Sequence, residues 1–122
     1  MKILIIDDDA DILRLTGIKL TKAGHDISTA QDGASGADLA HSEKPSLIIL
    51  ETELANKHGH DIIHAVKKSH KPAPLVIILS SEDTDEAIAA GFAAGADDYM
   101  IKPFSPRVLL ERMRVVAIRA QQ

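Results

Sequence analysis

Along the 122 residues, apolar positions follow two rhythms. Four short stretches are continuously apolar: ILII at 3–6, LIIL at 47–50, LVIIL at 75–79 and YMI at 99–101. Runs of this length, rich in Ile and Val, predict strands buried on both faces of a parallel sheet. HDISTA at 25–30 is more polar and predicts an edge strand. Between the runs the spacing lengthens to a helical period. DADILRLTGIKLTKAG at 9–24 gathers Ile12, Leu13, Leu15, Ile18 and Leu20 on one broad face and closes with Gly24 as its stop. GASGADLAHSE at 33–43, GHDIIHAVKKSH at 59–70 and DTDEAIAAGFAAGA at 83–96 read likewise. In SPRVLLERMRVVAIRA at 105–120, Ser105 is placed to cap and Pro106 takes the first helical position.

The order is strand then helix, five times over. Strict alternation implies parallel strands joined by right-handed crossovers. The expected fold is therefore an α/β three-layer (βα)5 sandwich, a doubly wound parallel five-stranded sheet with helices on both faces. In such sheets ligands bind beyond the carboxyl ends of the strands, so chemistry is sought at that rim.

Composition narrows the picture. One domain of ordinary size over 1–122 is expected, with a core that must be aliphatic, since there are two Phe, one Tyr and no Trp. The formal net charge of −4 gives no basic stripe for nucleic acid or a membrane surface. The absence of cysteine removes disulfides, thiolate metal sites and cysteine nucleophiles. The apolar start MKILII is cut short by three aspartates and is too short for a signal peptide, and no stretch approaches a membrane span. A cytoplasmic protein is the expectation.

At the strand ends the sequence places Asp7, Asp8 and Asp9, then Glu51 and Glu53, then Ser80, Ser81 and Glu82, and last Lys102. Taken singly these have ordinary readings: Asp9 or Asp11 as a helix cap, Ser80 as a turn residue, Lys102 as a surface lysine. Parallel strands deliver them all to one rim. Several carboxylates beside one lysine resist ionisation unless a cation joins them. An oxygen-lined divalent site for Mg²⁺ follows, because that ion is held by one or two carboxylates and keeps several waters.

The stretches ILIIDDD, SLIILETEL, LVIILSS and GADDYMIKPFSP, taken together, resemble the receiver domain of two-component response regulators over essentially the whole chain. The Lys-Pro pair three residues after an aromatic is the most specific part. The resemblance implies a flavodoxin-like, chemotaxis-regulator-like fold and a role in phosphorelay signalling rather than an enzyme. It makes Asp7 and Asp8 the acidic pair for Mg²⁺, with the Glu53 carbonyl as a further ligand. It makes Ser80 and Lys102 the phosphoryl contacts, Ser80 and Tyr99 the switch pair, and Lys102–Pro103 a cis peptide. Partners implied are a histidine kinase or a downstream effector, docking through the fourth helix, fifth strand and fifth helix.

The family transfers a phosphoryl group to an aspartate at the end of the third strand, and here that position is Glu51. Glutamate keeps the carboxylate but carries it about 1.5 Å further out, one carbon-carbon bond. A misplacement of about 1 Å can cost on the order of 100-fold in rate. The same shift points oxygens into the phosphoryl space near Lys102 and Ser80, so disablement and imitation of the phosphorylated state arise together. The loop ELANKHG, with Ala55, Lys57 and His58 before Gly59, departs from the family's usual Leu-Pro and acid. An atypical receiver with impaired or mimicked phosphorylation is the first reading. A working Mg²⁺-dependent phosphoacceptor is the second and a small Mg²⁺-dependent phosphohydrolase the third.

Other features read more simply. His58, His60 and His64 have a conceivable metal spacing but lack cysteines or a suitably placed acid, which favours solvent-exposed histidines. His70 with Lys67, Lys68 and Lys71 reads as a solvated basic cluster. Gly91 costs its helix about 1 kcal/mol relative to alanine, so that helix is either soft and movable or simply packed against the sheet. The chain ends just after the fifth helical pattern, leaving a free-standing receiver and the front of a longer regulator as alternatives.

Overall fold

The computed structural model describes residues 1–121. Its elements are β1 (Lys2–Ile6), α1 (Ala10–Lys22), β2 (Asp26–Ala30), α2 (Gly33–Glu43), β3 (Leu47–Leu50), α3 (Gly59–Ser69), β4 (Leu75–Ser80), α4 (Asp85–Ala94), β5 (Asp98–Ile101) and α5 (Pro106–Ala120). The strands form one parallel sheet in the order β2-β1-β3-β4-β5. The polar β2 is at one edge, as its sequence requires.

Alternation along each strand sorts the aliphatic side chains into two cores. Ile3, Ile5, Leu47, Ile49, Ile77 and Leu79 face one side, covered by Leu13 and Leu20 of α1 and Leu109, Met113 and Val116 of α5. Leu4, Ile6, Ile48, Leu50, Val76 and Ile78 face the other, covered by α2, α3 and α4. Both faces are thus dry, which explains why the strands read as continuous apolar runs.

Caps fix where the helices begin and so shape the rim above the sheet. Asp9, not Asp11, caps α1, its carboxylate accepting from the N–H groups of Asp11 and Ile12. Ser105 caps α5 and Pro106 opens it. Asp32 caps α2 and Thr84 caps α4. Strand order reverses between β1 and β3, which makes the crevice over their carboxyl ends the place for a ligand. Among the described residues no helix is long and apolar enough to cross a membrane.

Candidate functional site

Four strand ends converge as the alternation demands. Asp7 follows β1 and is 1 % exposed; Glu51 follows β3 and is 6 % exposed. Ser80 ends β4 with no exposure, and Lys102 follows β5. The Lys102 ammonium donates to Asp7 Oδ2 at 2.7 Å and to Glu51 Oε1 at 3.2 Å. One cation therefore bridges two buried carboxylates from the strands that flank the switch point. The Lys102–Pro103 peptide is cis.

The two partners of this contact respond unequally. Burial pushes the Asp7 carboxyl up, and the hydrogen bonds from Lys102 and the Asp9 N–H only partly offset it. Burial also works against the Lys102 charge, but the hydrogen bond and charge of Asp7, with Glu51 behind them, hold its ammonium above the ordinary lysine value. Lys102 thus stays charged, whereas Asp7 is a carboxylate short of positive partners.

Glu51 is bent back on its own loop. Its Oε2 accepts from the Thr52 N–H at 2.8 Å and more weakly from the Glu53 N–H at 3.5 Å, leaving Oε1 to Lys102. Of the two groups the sequence places near these oxygens, Lys102 and Ser80, Glu51 hydrogen-bonds only to Lys102. The extra methylene lets the carboxylate curl toward backbone donors, and these compete with the hydroxyl. Gly59 keeps this loop tight: a Cβ there would lie 2.7 Å from the Thr52 Cα, while the Gly59 N–H donates to the Thr52 carbonyl at 2.9 Å.

The two residues that the resemblance makes a switch pair are both buried. Ser80 Oγ accepts from the Glu82 N–H at 3.1 Å. Tyr99 is 8 % exposed, and its hydroxyl donates to the Glu82 carbonyl at 2.8 Å. Burial pushes the Tyr99 phenol up. Its ring rests on α4 where Gly91 has no side chain; a Cβ there would sit 2.7 Å from Ile78 Cδ1 and 2.9 Å from Tyr99 Cδ2. Packing against the sheet, one of the two readings of Gly91, is what the structure contains, and it is tight.

The rim above is acidic and paired. A hydrogen bond between the Glu53 and Glu82 carboxyls holds Glu53 below and Glu82 above the ordinary glutamate value. His58 Nε2 lies 3.5 Å from Glu53 Oε1, and His58 Nδ1 accepts from the His60 N–H, capping α3. That capping role was invisible in the sequence, because histidine is not among the preferred caps. His64 is exposed and His60 half-buried.

The donor set suits a hard cation. Asp8 is exposed and its carboxylate takes no hydrogen bond among the described residues, while Asp7 is buried and under-compensated. Among the described residues no three His, Cys, Asp or Glu groups surround a common point. Mg²⁺ does not need that: one or two carboxylates with several retained waters are its usual shell.

Residues 3–114 match the response regulator receiver domain family. The chain belongs to that family. It is 34 % identical over 120 residues to the alkaline phosphatase synthesis transcriptional regulatory protein PhoP of Bacillus subtilis, covering 98 % of this chain and 50 % of PhoP. The chain spans about half the length of the curated relatives it matches. Among solved structures it is similar to the BeF3-activated receiver domain of DrrB from Thermotoga maritima, with a TM-score of 0.86 and 34 % identity over 95 % of this chain and 96 % of that one. A two-component response regulator from Clostridium difficile gives a TM-score of 0.92 at 25 % identity, over 100 % and 99 %. The fold is thus the flavodoxin-like receiver fold, and the chain is a receiver domain of a two-component response regulator.

Proposed function

We propose that this receiver signals without an efficient phosphoryl switch, Glu51 standing in for part of the charge that a phosphoaspartate would supply. One observation carries the reading: Glu51 already occupies Lys102, at 3.2 Å, while Ser80 and Tyr99 are inward. In the family the lysine and hydroxyl meet the phosphoryl group and the aromatic turns inward on activation. A carboxylate offers one negative charge where a phosphate offers roughly two. The imitation is partial.

Asp7, Asp8 and the Glu53 carbonyl would hold Mg²⁺, which when bound supplies positive charge beside the acidic cluster. The residues themselves do the rest. Lys102 ties the end of β5 to the ends of β1 and β3, and Tyr99 and Ser80 both engage Glu82, fixing the segment that leads into α4. The domain is a binding module of the cytoplasm, not an enzyme, and its partners are a histidine kinase or an effector docking on α4, β5 and α5. Phe92, Val108 and Val115 are exposed on α4 and α5, which supports that face.

A second reading is supported by the same residues. Asp7, Asp8, Ser80 and Lys102 are all retained, so Glu51 could serve as a slow nucleophile whose carboxylate forms an acyl phosphate. Incubation with Mg²⁺ and acetyl phosphate, followed by intact mass measurement, separates the two. The proposal expects no adduct on this chain and an adduct on Glu51→Asp; a stoichiometric adduct on Glu51 overturns it.

A further inference from the structure

The loop that follows Glu51 is fastened from a second direction, the start of α2. Between Glu51 and α3 the chain runs through residues 52–58, and Ala55, Asn56, Lys57 and His58 are exposed. Leu54 is half-buried against the core that α2, α3 and α4 cover. Asn56 takes a φ of +75°, a conformation that asparagine tolerates better than most residues. The Ala55 carbonyl accepts from the Gly33 N–H at 2.8 Å. Gly33 opens α2, so its N–H has no partner within the helix, and Ala55 satisfies it.

Gly33 is buried and leaves no room between α2 and this loop. A Cβ there would overlap the Lys57 carbonyl oxygen and lie 2.7 Å from the Lys57 Cβ. The bonds of the loop meet at Thr52. Its carbonyl accepts from the Leu54 N–H at 3.1 Å and the Gly59 N–H at 2.9 Å, and its own N–H donates to Glu51 Oε2 at 2.8 Å. Oε2 is thereby taken, and Oε1 is the oxygen that meets Lys102. A displacement of about 0.5 Å carries a bond of this kind past ~3.2 Å, where N–H···O distances ordinarily end.

We propose that Gly33 is a positioning residue for Glu51: lying against residues 55–57 without a side chain, it keeps the loop where the Thr52 N–H holds one carboxylate oxygen and leaves the other to Lys102. This role rests on the reading of Glu51 as the group that occupies Lys102. It makes the start of α2, at the far side of β1 from the phosphoacceptor strand, part of what sets that contact.

Amide spectra of the isotope-labelled domain test this through the Thr52 N–H. Glu51→Ala supplies the position of the amide without its carboxylate. Gly33→Ala is expected to carry the Thr52 amide at least half of the way to that position, although alanine is the better helix former and favours α2. A smaller move, or one in another direction, would overturn the proposal, as would a Thr52 amide that Glu51→Ala leaves unmoved. Should Gly33→Ala fail to fold, Asn56→Ala and Asn56→Gly decide in its place. Alanine is strained at a positive φ and glycine is not, so the first should move Thr52 in the same direction and the second should stay with the parent. Equal Thr52 positions in those two would overturn the proposal. An acetyl phosphate adduct on the parent would end the reading of Glu51 as a stand-in and leave the Thr52 response in place, so the two fail separately.

Discussion

Lys102 Nζ lies 2.7 Å from Asp7 Oδ2 and 3.2 Å from Glu51 Oε1, so a single ammonium closes the ends of β1, β3 and β5 together. Neither carboxylate has water in quantity to fall back on, both being buried. Removing one partner of such a contact leaves the others charged and uncompensated, the costly case for buried ion pairs. Lys102→Gln should therefore lose about 3 kcal/mol of unfolding free energy at neutral pH without added metal. Urea denaturation checks this. Because the folded-state value of Lys102 is raised, its contribution is fully present below 10.5, the ordinary lysine value, and is lost as pH rises through the raised one.

Asp7 works in the opposite sense. Its folded-state carboxyl is held above the ordinary 3.8, so ionising it costs more in the folded protein than in the unfolded chain. The stability this group contributes is present below 3.8 and is lost as pH rises through the raised value. Asp7→Asn should accordingly melt at a higher temperature than the parent at pH 7 in metal-free buffer. The gap should close as pH falls to 3.8. Thermal unfolding of both proteins across that range measures it, and Mg²⁺ should narrow the difference at pH 7 by stabilising the parent alone.

Gly91 sets the seat of Tyr99. With a Cβ 2.7 Å from Ile78 and 2.9 Å from the tyrosine ring, Gly91→Ala must push one of them away. Overpacking costs about 1–3 kcal/mol, whereas alanine returns about 1 kcal/mol of helix propensity. A net loss of about 1 kcal/mol is expected, with greater quenching of tyrosine fluorescence by acrylamide. Tyr99 is the sole tyrosine and there is no tryptophan, so the emission reports this position alone.

Much of this was legible because two-sided burial leaves a plain mark. LIIL at 47–50 coincides with β3, and the other runs fall within a residue or so of their strands. Convergence at the rim follows from strand–helix alternation alone. What the sequence hid depends on where side chains turn at close range. Glu51 curls to the Thr52 N–H instead of reaching Ser80, a choice between neighbouring donors that spacing does not encode. His58 caps α3 although its type seldom does, and the ring that Gly91 makes room for comes from another element, which the spacing within α4 does not encode. Asp98 of β5 and Arg112 of α5 pair at 3.0 Å, a contact between elements that neither local pattern encodes.

We propose that Glu51 holds the switch in part by occupying Lys102. The most direct measurement is the acrylamide accessibility of Tyr99 in Glu51→Asp, before and after acetyl phosphate and Mg²⁺, beside the parent protein. Tyr99 is expected to be more accessible in untreated Glu51→Asp than in the parent, to return to the parent level after treatment, and in the parent not to respond to treatment. Equal quenching in both untreated proteins, or a parent whose Tyr99 responds to the phosphodonor, would contradict it.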